Sequence, residues 1–267
     1  MINLLKSYKF EFGYTKKSLG QHFLINKEML NLIVEECMHY INDPKLSNII
    51  EVGAGCGLLT QFLLERGLNV TAIEIDNKLC DFLQRYLFYY PNLKILNQDF
   101  LDFNLDKDEA IIVGNLPYNT AARMFLYSIN FVSNIRCMIL MFQKEVAERI
   151  ISMPNSKKYS YISVITRYYF DVEKIANISG KNFWPSTEVN STILKFFPKN
   201  RIFNDMEKER DFFNFLKIAF KMKRKTLKNN LRSYTNSELV IDKFFKKDVR
   251  AEELDLEDFI KLYNSLV

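Results

Sequence analysis

Glu51-Val-Gly-Ala-Gly-Cys-Gly57 stands between a short apolar run, Asn48–Gly53, and a helical pattern, Leu58–Arg66. A strand that ends in glycines and turns at once into a helix is the opening unit of many nucleotide-binding α/β folds. Glycines there permit a tight turn and let backbone N–H groups come close to a ligand. The spacing is G-x-G-x-G. The dinucleotide fingerprint G-x-G-x-x-G needs its third glycine one residue later, where Leu58 stands. A plain strand-to-helix turn would also tolerate these glycines, so the motif gains meaning only from its surroundings.

Working outward, strand-like and helical runs alternate. Asn69–Ile75 reads as a strand and Asn77–Tyr89 as a helix; Leu93–Asn97 and Ala110–Gly114 read as strands. Thr120–Ile129 reads as a helix, Ile135–Phe142 as a strand and Lys144–Ile151 as a helix. This alternation implies βαβ units and a mostly parallel sheet covered by helices. Tyr161–Phe170 and Asn190–Phe197 are β-branched and aromatic runs with no full helix between them, which predicts an antiparallel pair near one edge. Beyond Pro198 the pattern turns helical, over Asp205–Phe220, Arg224–Tyr234 and Leu254–Leu266. The expected organisation is an α/β domain over 1–200 and a small helical domain over 201–267.

Composition limits the function classes. The chain has 267 residues, 48% of them hydrophobic and 26% charged, which suits a well-packed globular protein. No apolar run is long enough to span a bilayer, and the first residues lack the pattern of a secretory signal. Four scattered cysteines and two histidines offer no metal-ligand spacing and suit a reducing cytosol, so a cytoplasmic protein without a metal is expected. The net charge is +5, and its excess is concentrated late: 16 basic against 12 acidic residues from Lys199 onward. A basic end fits a polyanionic partner or an ordinary solvated helical face.

Two acidic residues give the glycine turn a ligand. Glu74, in Ala72-Ile-Glu-Ile-Asp76, ends the second strand, where a carboxylate accepts from ribose hydroxyls. Asp99 follows the third strand, placed to accept from an adenine amino group, although alone it could be a helix cap or a turn residue. A nucleoside with no diphosphate cradle is the expected ligand, and S-adenosyl-L-methionine fits that description.

Gly114-Asn-Leu-Pro-Tyr-Asn119 follows the fourth strand, at the carboxyl edge where such sheets place their reactive groups. Pro117 stiffens the loop and biases Leu116 towards an extended conformation. The Asn115 side-chain oxygen and the Leu116 carbonyl can then face the same way as acceptors. An adenine amine is a poor nucleophile because its lone pair is delocalised into the ring. Two acceptors on its hydrogens localise that lone pair for in-line attack on a sulfonium methyl. Tyr118 offers an aromatic face for an extruded base.

With these residues in place, the chain resembles the ribosomal RNA adenine dimethyltransferase family, and within it the branch that dimethylates two adjacent adenosines near the 3′ end of small-subunit rRNA. The resemblance runs from Lys17-Ser-Leu-Gly-Gln-His-Phe-Leu24 through the glycine turn, Ala72–Asp76, Gln98–Phe100 and Asn115–Asn119. It continues through Gln143–Arg149 to Arg224-Lys-Thr-Leu-Lys-Asn-Asn-Leu231. It implies a Rossmann-like class I methyltransferase sheet. It also implies that His22, Leu24, Gly53, Gly55, Glu74, Asp99 and Asn115 contact the cofactor, and that Asn115, Leu116, Pro117 and Tyr118 form the catalytic loop. Many relatives carry Asn where His22 stands. Ala54 replaces the usual proline of the glycine turn. In Phe183–Ser191, Thr187 and Glu188 replace a proline and a lysine of the family pattern, and Glu188 reverses a charge near the expected target-base loop.

Lys221, Lys223, Arg224, Lys225 and Lys228 crowd into eight residues, a spacing suited to phosphates. They are the expected RNA contacts, with a solvated face as the bland alternative. The expected partner is small-subunit rRNA within a ribosomal subunit, approached by a monomer without membrane attachment. The rival readings are the antibiotic-resistance type of large-subunit rRNA methyltransferase and a non-catalytic ribosome assembly factor that kept the fold. The glycine spacing disfavours an NAD-dependent dehydrogenase.

Overall fold

A computed structural model describes residues 3–15, 20–105 and 109–266. The opening Lys17-Ser-Leu of the first family motif lies outside them. The chain divides into two compact units, Met1–Ala147 with Val172–Pro198, and Glu148–Asp171 with Lys199–Val267. The chain crosses between the units three times, after Ala147, Asp171 and Pro198. The segment 148–171, read from sequence as part of the first domain, lies in the second unit.

In the first unit, helix α1 (Leu4–Phe12) precedes the short strand β1 (Phe23–Leu24) and helix α2 (Lys27–Met38). Then β2 (Ile49–Val52), α3 (Leu58–Glu65), β3 (Val70–Glu74), α4 (Asn77–Leu87) and β4 (Leu93–Asn97) follow as strand–helix repeats. They continue with β5 (Ala110–Asn115), α5 (Ala121–Ser128), β6 (Ile135–Gln143) and α6 (Lys144–Ile150), where the chain leaves the unit. After α7 (Tyr161–Tyr169), it returns along β7 (Phe170–Ile178), β8 (Phe183–Trp184) and β9 (Ser191–Pro198).

The described strands form a seven-stranded sheet, order β4-β3-β2-β5-β6-β9-β7, and a two-stranded β1-β8 ribbon. The five strands from β4 to β6 are parallel to one another, and β9 is antiparallel to β6, with Leu140 opposite Leu194. β2 and β5 are buried at nearly every position, as expected for central parallel strands covered on both faces. The order reverses beside β2, between β3 and β5. A parallel sheet opens a crevice at its carboxyl edge there, and the glycine turn and Asn115 both sit at that edge.

One expectation fails. Tyr161–Tyr169 is the helix α7, and the strand is the following stretch, Phe170–Ile178. Ile162, Val164, Ile165, Tyr168 and Tyr169 are all buried, so the helix is apolar on most of its surface and its β-branched content misleads. Ser160 N–H donates to Ser163 Oγ (3.0 Å) at its first turn. The antiparallel pairing is consequently between β9 and β6.

In the second unit, α7, α8 (Met206–Ala219) and α11 (Leu256–Leu266) pack with the short helices α9 (Leu227–Leu231) and α10 (Ser237–Phe244). Tyr168, Phe203, Phe212, Phe215 and Tyr263 form its aromatic core. Inside it, Tyr168 Oη donates to Glu209 (2.9 Å), which also pairs with Arg201 (3.0 Å). The helix expected over Arg224–Tyr234 shrinks to Leu227–Leu231, capped by Thr226, and α10 escaped the sequence reading.

Candidate active site

A cavity of about 220 Å³ lies at the carboxyl edge of the sheet, wholly within the first unit. Its lining includes His22, Leu24, Gly53, Gly55, Glu74, Asp99, Asn115, Leu116, Pro117 and Tyr118. All the residues read from sequence as cofactor-binding or catalytic, drawn from five separate segments, therefore meet in one place.

The floor is built by the glycine turn and the end of β3. Gly55 has φ +59°, and a Cβ there would lie 2.9 Å from the Phe23 ring, so neither the backbone nor the packing admits a side chain. Its N–H donates to Glu74 Oε2 (2.8 Å), and the Asp76 N–H donates to Glu74 Oε1 (3.0 Å). These bonds aim the Glu74 carboxylate and still leave lone pairs on both oxygens for a diol. Burial raises the Glu74 carboxyl above its ordinary value, and the two N–H donors oppose that rise. Asp99 accepts from Leu101 N–H through Oδ1 (2.9 Å), the capping role that its sequence position allowed. Oδ2 of Asp99 has no hydrogen-bond partner among the described residues. Ile75, 51% exposed, also lines the cavity and gives it an apolar surface.

The wall is the Asn-Leu-Pro-Tyr loop. Asn115 Nδ2 donates to the His22 carbonyl (2.8 Å), which orients the amide and ties the N-terminal segment to β5. Asn115 Oδ1 and the Leu116 carbonyl receive no hydrogen bond among the described residues, so both remain acceptors. Pro117 O receives the N–H groups of Thr120 and Ala121 (3.1 and 3.0 Å), closing the turn into α5. The His22 ring stacks on Tyr118, centroids 5.4 Å apart and planes 18° apart. His22 Nδ1 lies 2.9 Å from the Pro185 carbonyl, which can only accept, so Nδ1 carries the hydrogen. One face of Tyr118 is therefore already covered by an aromatic ring.

Two charged lining residues, Glu51 and Arg123, were given no role in the sequence reading. Glu51, at the end of β2, is buried, and its Oε2 has no hydrogen-bond partner among the described residues. Desolvation pushes its carboxyl up to about 8. An acidic residue directly before a glycine turn was the available signal. Arg123, on the first turn of α5, is the other, and nothing in its local sequence marks it.

The basic cluster of the second unit is a different surface. Lys221, Lys223, Arg224 and Lys225 are exposed in the turn between α8 and α9. Lys223 Nζ donates to the Lys157 carbonyl and lies 3.8 Å from Glu252. Lys228, its side chain 17% exposed, pairs with Asp242 (2.6 Å) and Glu238 (3.5 Å). Lys221, Arg224 and Lys225 form no ion pair among the described residues.

The sheet with its reversal beside β2, the glycine turn, the paired acids and the acceptor loop together define a class I S-adenosylmethionine-dependent methyltransferase. The donor set fits that cofactor: lone pairs left on both Glu74 oxygens, an open oxygen on Asp99, the apolar surface of Ile75 and a buried Glu51 Oε2 without a partner among the described residues. The family described as Ribosomal RNA adenine dimethylase matches residues 14–267, and the chain belongs to that family. It is 35% identical over 255 residues to "Ribosomal RNA small subunit methyltransferase A" of Sulfurihydrogenibium sp. (strain YO3AOP1), covering 93% of this chain and 95% of that one. It is 38% identical over 260 residues to the protein of the same name from Francisella tularensis subsp. novicida, covering 94% and 97%. Among solved structures, it is similar to a dimethyladenosine transferase from Plasmodium falciparum, with TM-score 0.73 and 26% identity over 90% of this chain and 96% of that one.

Proposed function

We propose that the chain dimethylates N6 of two adjacent adenosines near the 3′ end of small-subunit rRNA, acting on a ribosomal subunit in the cytoplasm as a monomer. The observation that carries this reading is the convergence of Glu74, Asp99 and the open acceptors of Asn115 and Leu116 on one cavity. The named relatives, similar along nearly their whole length, supply the substrate class.

Each residue has a defined task. Glu74 accepts from the ribose hydroxyls and Asp99 from the adenine amino group of S-adenosylmethionine, while the glycine-turn backbone closes against it. When bound, the cofactor supplies an electrophilic methyl on a sulfonium. Asn115 Oδ1 and the Leu116 carbonyl hold the target amine by its hydrogens, so its lone pair localises and faces that methyl. With that methyl group supplied, Asn115 Oδ1 and the Leu116 carbonyl would keep the amine nitrogen aimed at it, and the proton lost by the methylated amine would pass to water. Positioning and preorganised acceptors do the work, with no strong base required. Pro117 holds the acceptors in register, and the Tyr118–His22 pair provides the aromatic wall against which the flipped base lies.

Lys221, Arg224 and Lys225 are the phosphate contacts of the second unit, with Lys223 and Lys228 partly or wholly neutralised by neighbouring acids. The deciding experiment is methyl transfer from labelled S-adenosylmethionine to small subunits lacking the modification, with the methylated bases mapped. Two adjacent dimethyladenosines at the 3′ end are expected. Label in large-subunit rRNA would overturn the branch. RNA binding without transfer would favour an assembly role and direct attention to Glu188.

A further inference from the structure

The charged lining of the cavity is one-sided. Glu51, Glu74 and Asp99 are acidic, and among the described lining residues Arg123 is the one lysine or arginine. The first unit contains four arginines. Arg66, Arg85 and Arg136 each pair with a glutamate, namely Glu35, Glu11 and Glu109. Arg123 is exposed and forms no hydrogen bond or ion pair among the described residues.

An RNA substrate makes this asymmetry matter. A base flipped towards Asn115 and Leu116 enters the cavity, but its sugar–phosphate backbone stays at the mouth. The described lining is otherwise acidic or uncharged, so a cation on the substrate side favours entry of that backbone. Arg123 lies on α5, five residues beyond Tyr118 on the same continuous loop and helix. The positive end of that short helix adds to the guanidinium. A planar fork of donors matches two phosphate oxygens better than an ammonium does.

We propose that Arg123 anchors the phosphodiester beside the adenosine being methylated, and so sets which nucleotide reaches Asn115. The inference rests on the reading that the Asn115–Tyr118 end of the cavity receives the base.

The test compares the full-length wild type with Arg123→Ala and Arg123→Lys, using unmodified small subunits over a range of salt. S-adenosylmethionine binding is measured directly in parallel. Arg123→Ala should raise KM for subunits about tenfold, mainly in KM rather than kcat, and lower the slope of log KM against log salt by about 1. Arg123→Lys should restore the salt slope and recover only part of KM. Cofactor affinity should stay at the wild-type value in both. An unchanged KM and salt slope in Arg123→Ala, with an active wild type, overturns the anchor and leaves the methyltransferase reading intact. A loss of cofactor affinity overturns it by assigning the guanidinium to the cofactor. A wild type that transfers no methyl to subunits removes both readings together.

Discussion

The cavity of the first unit and the basic turn of the second were both read from sequence as binding sites, yet folding treats them in opposite ways. Residues spread from His22 to Tyr118 converge in the cavity, and each acid there has its own environment. In the basic turn, five cations adjacent in sequence separate: Lys228 is held by Asp242 and Glu238, Lys223 leans on Glu252, and three remain free. Burial makes charges specific because each must find a partner or shift its protonation. Exposed charges are neutralised by whichever acids the fold brings near, so a count of lysines overstates the site.

The strongest test of this contrast concerns the buried carboxyl of Glu51. Moving it from its ordinary 4.5 to about 8 is worth up to about 5 kcal/mol. Between those values, the folded state holds the proton more tightly than the unfolded chain does. Stability without cofactor should therefore fall as pH rises from about 4.5 to about 8 and level off above that. Glu51→Gln should flatten this decline, as thermal unfolding across pH would show; an unaltered profile would mean that Glu51 ionises freely.

Next in size is Asn115→Ala. Losing one preorganised acceptor should lower kcat by about 100- to 1000-fold with the circular dichroism spectrum preserved. Normal turnover would sink the role given to its amide. Glu74→Ala should weaken cofactor binding by about 10- to 100-fold, because the diol loses its acceptor and the Gly55 N–H its partner. Calorimetric titration checks it, and unchanged affinity removes Glu74 from the site.

The smallest effects belong to the basic turn. Replacing Lys221, Arg224 and Lys225 together by alanine should lower the salt slope of subunit binding by about 2 to 3. Lys228→Ala alone should leave that slope within about 0.3 of wild type, because its charge is already balanced. Equal effects from Lys228 and Arg224 would erase the distinction between paired and free cations.

The legible parts of the fold share a physical feature. Central strands such as Ile49–Val52, apolar but for Glu51, and Ala110–Asn115, apolar up to Val113, are short apolar runs that end at glycine, and few other structures suit such runs. Tyr161–Tyr169 misled because a helix buried around most of its surface loses its 3.6-residue signature and presents only β-branched and aromatic residues. β7 was passed over for the converse reason. It lies at the end of the sheet order and carries Asp171, Glu173 and Lys174, the polar composition that protects an edge. At the site, motif residues announced themselves through special backbone needs or placement at strand ends. Arg123, inside the first turn of a helix, lacked such a mark.

The amino-acid sequence by itself determined the alternation of strands and helices, the glycine turn with its acidic partners, and the acceptor loop. These depend on local backbone permissions and on periodicity, which neighbouring residues encode. Only the tertiary structure decided that 148–171 belongs with the C-terminal helices and that His22 stacks on Tyr118. It also decided which lysines are paired with acids and which carboxyl oxygen is buried without a partner. Those outcomes depend on desolvation and on contacts between residues distant in the chain, and no local stretch of sequence carries that information.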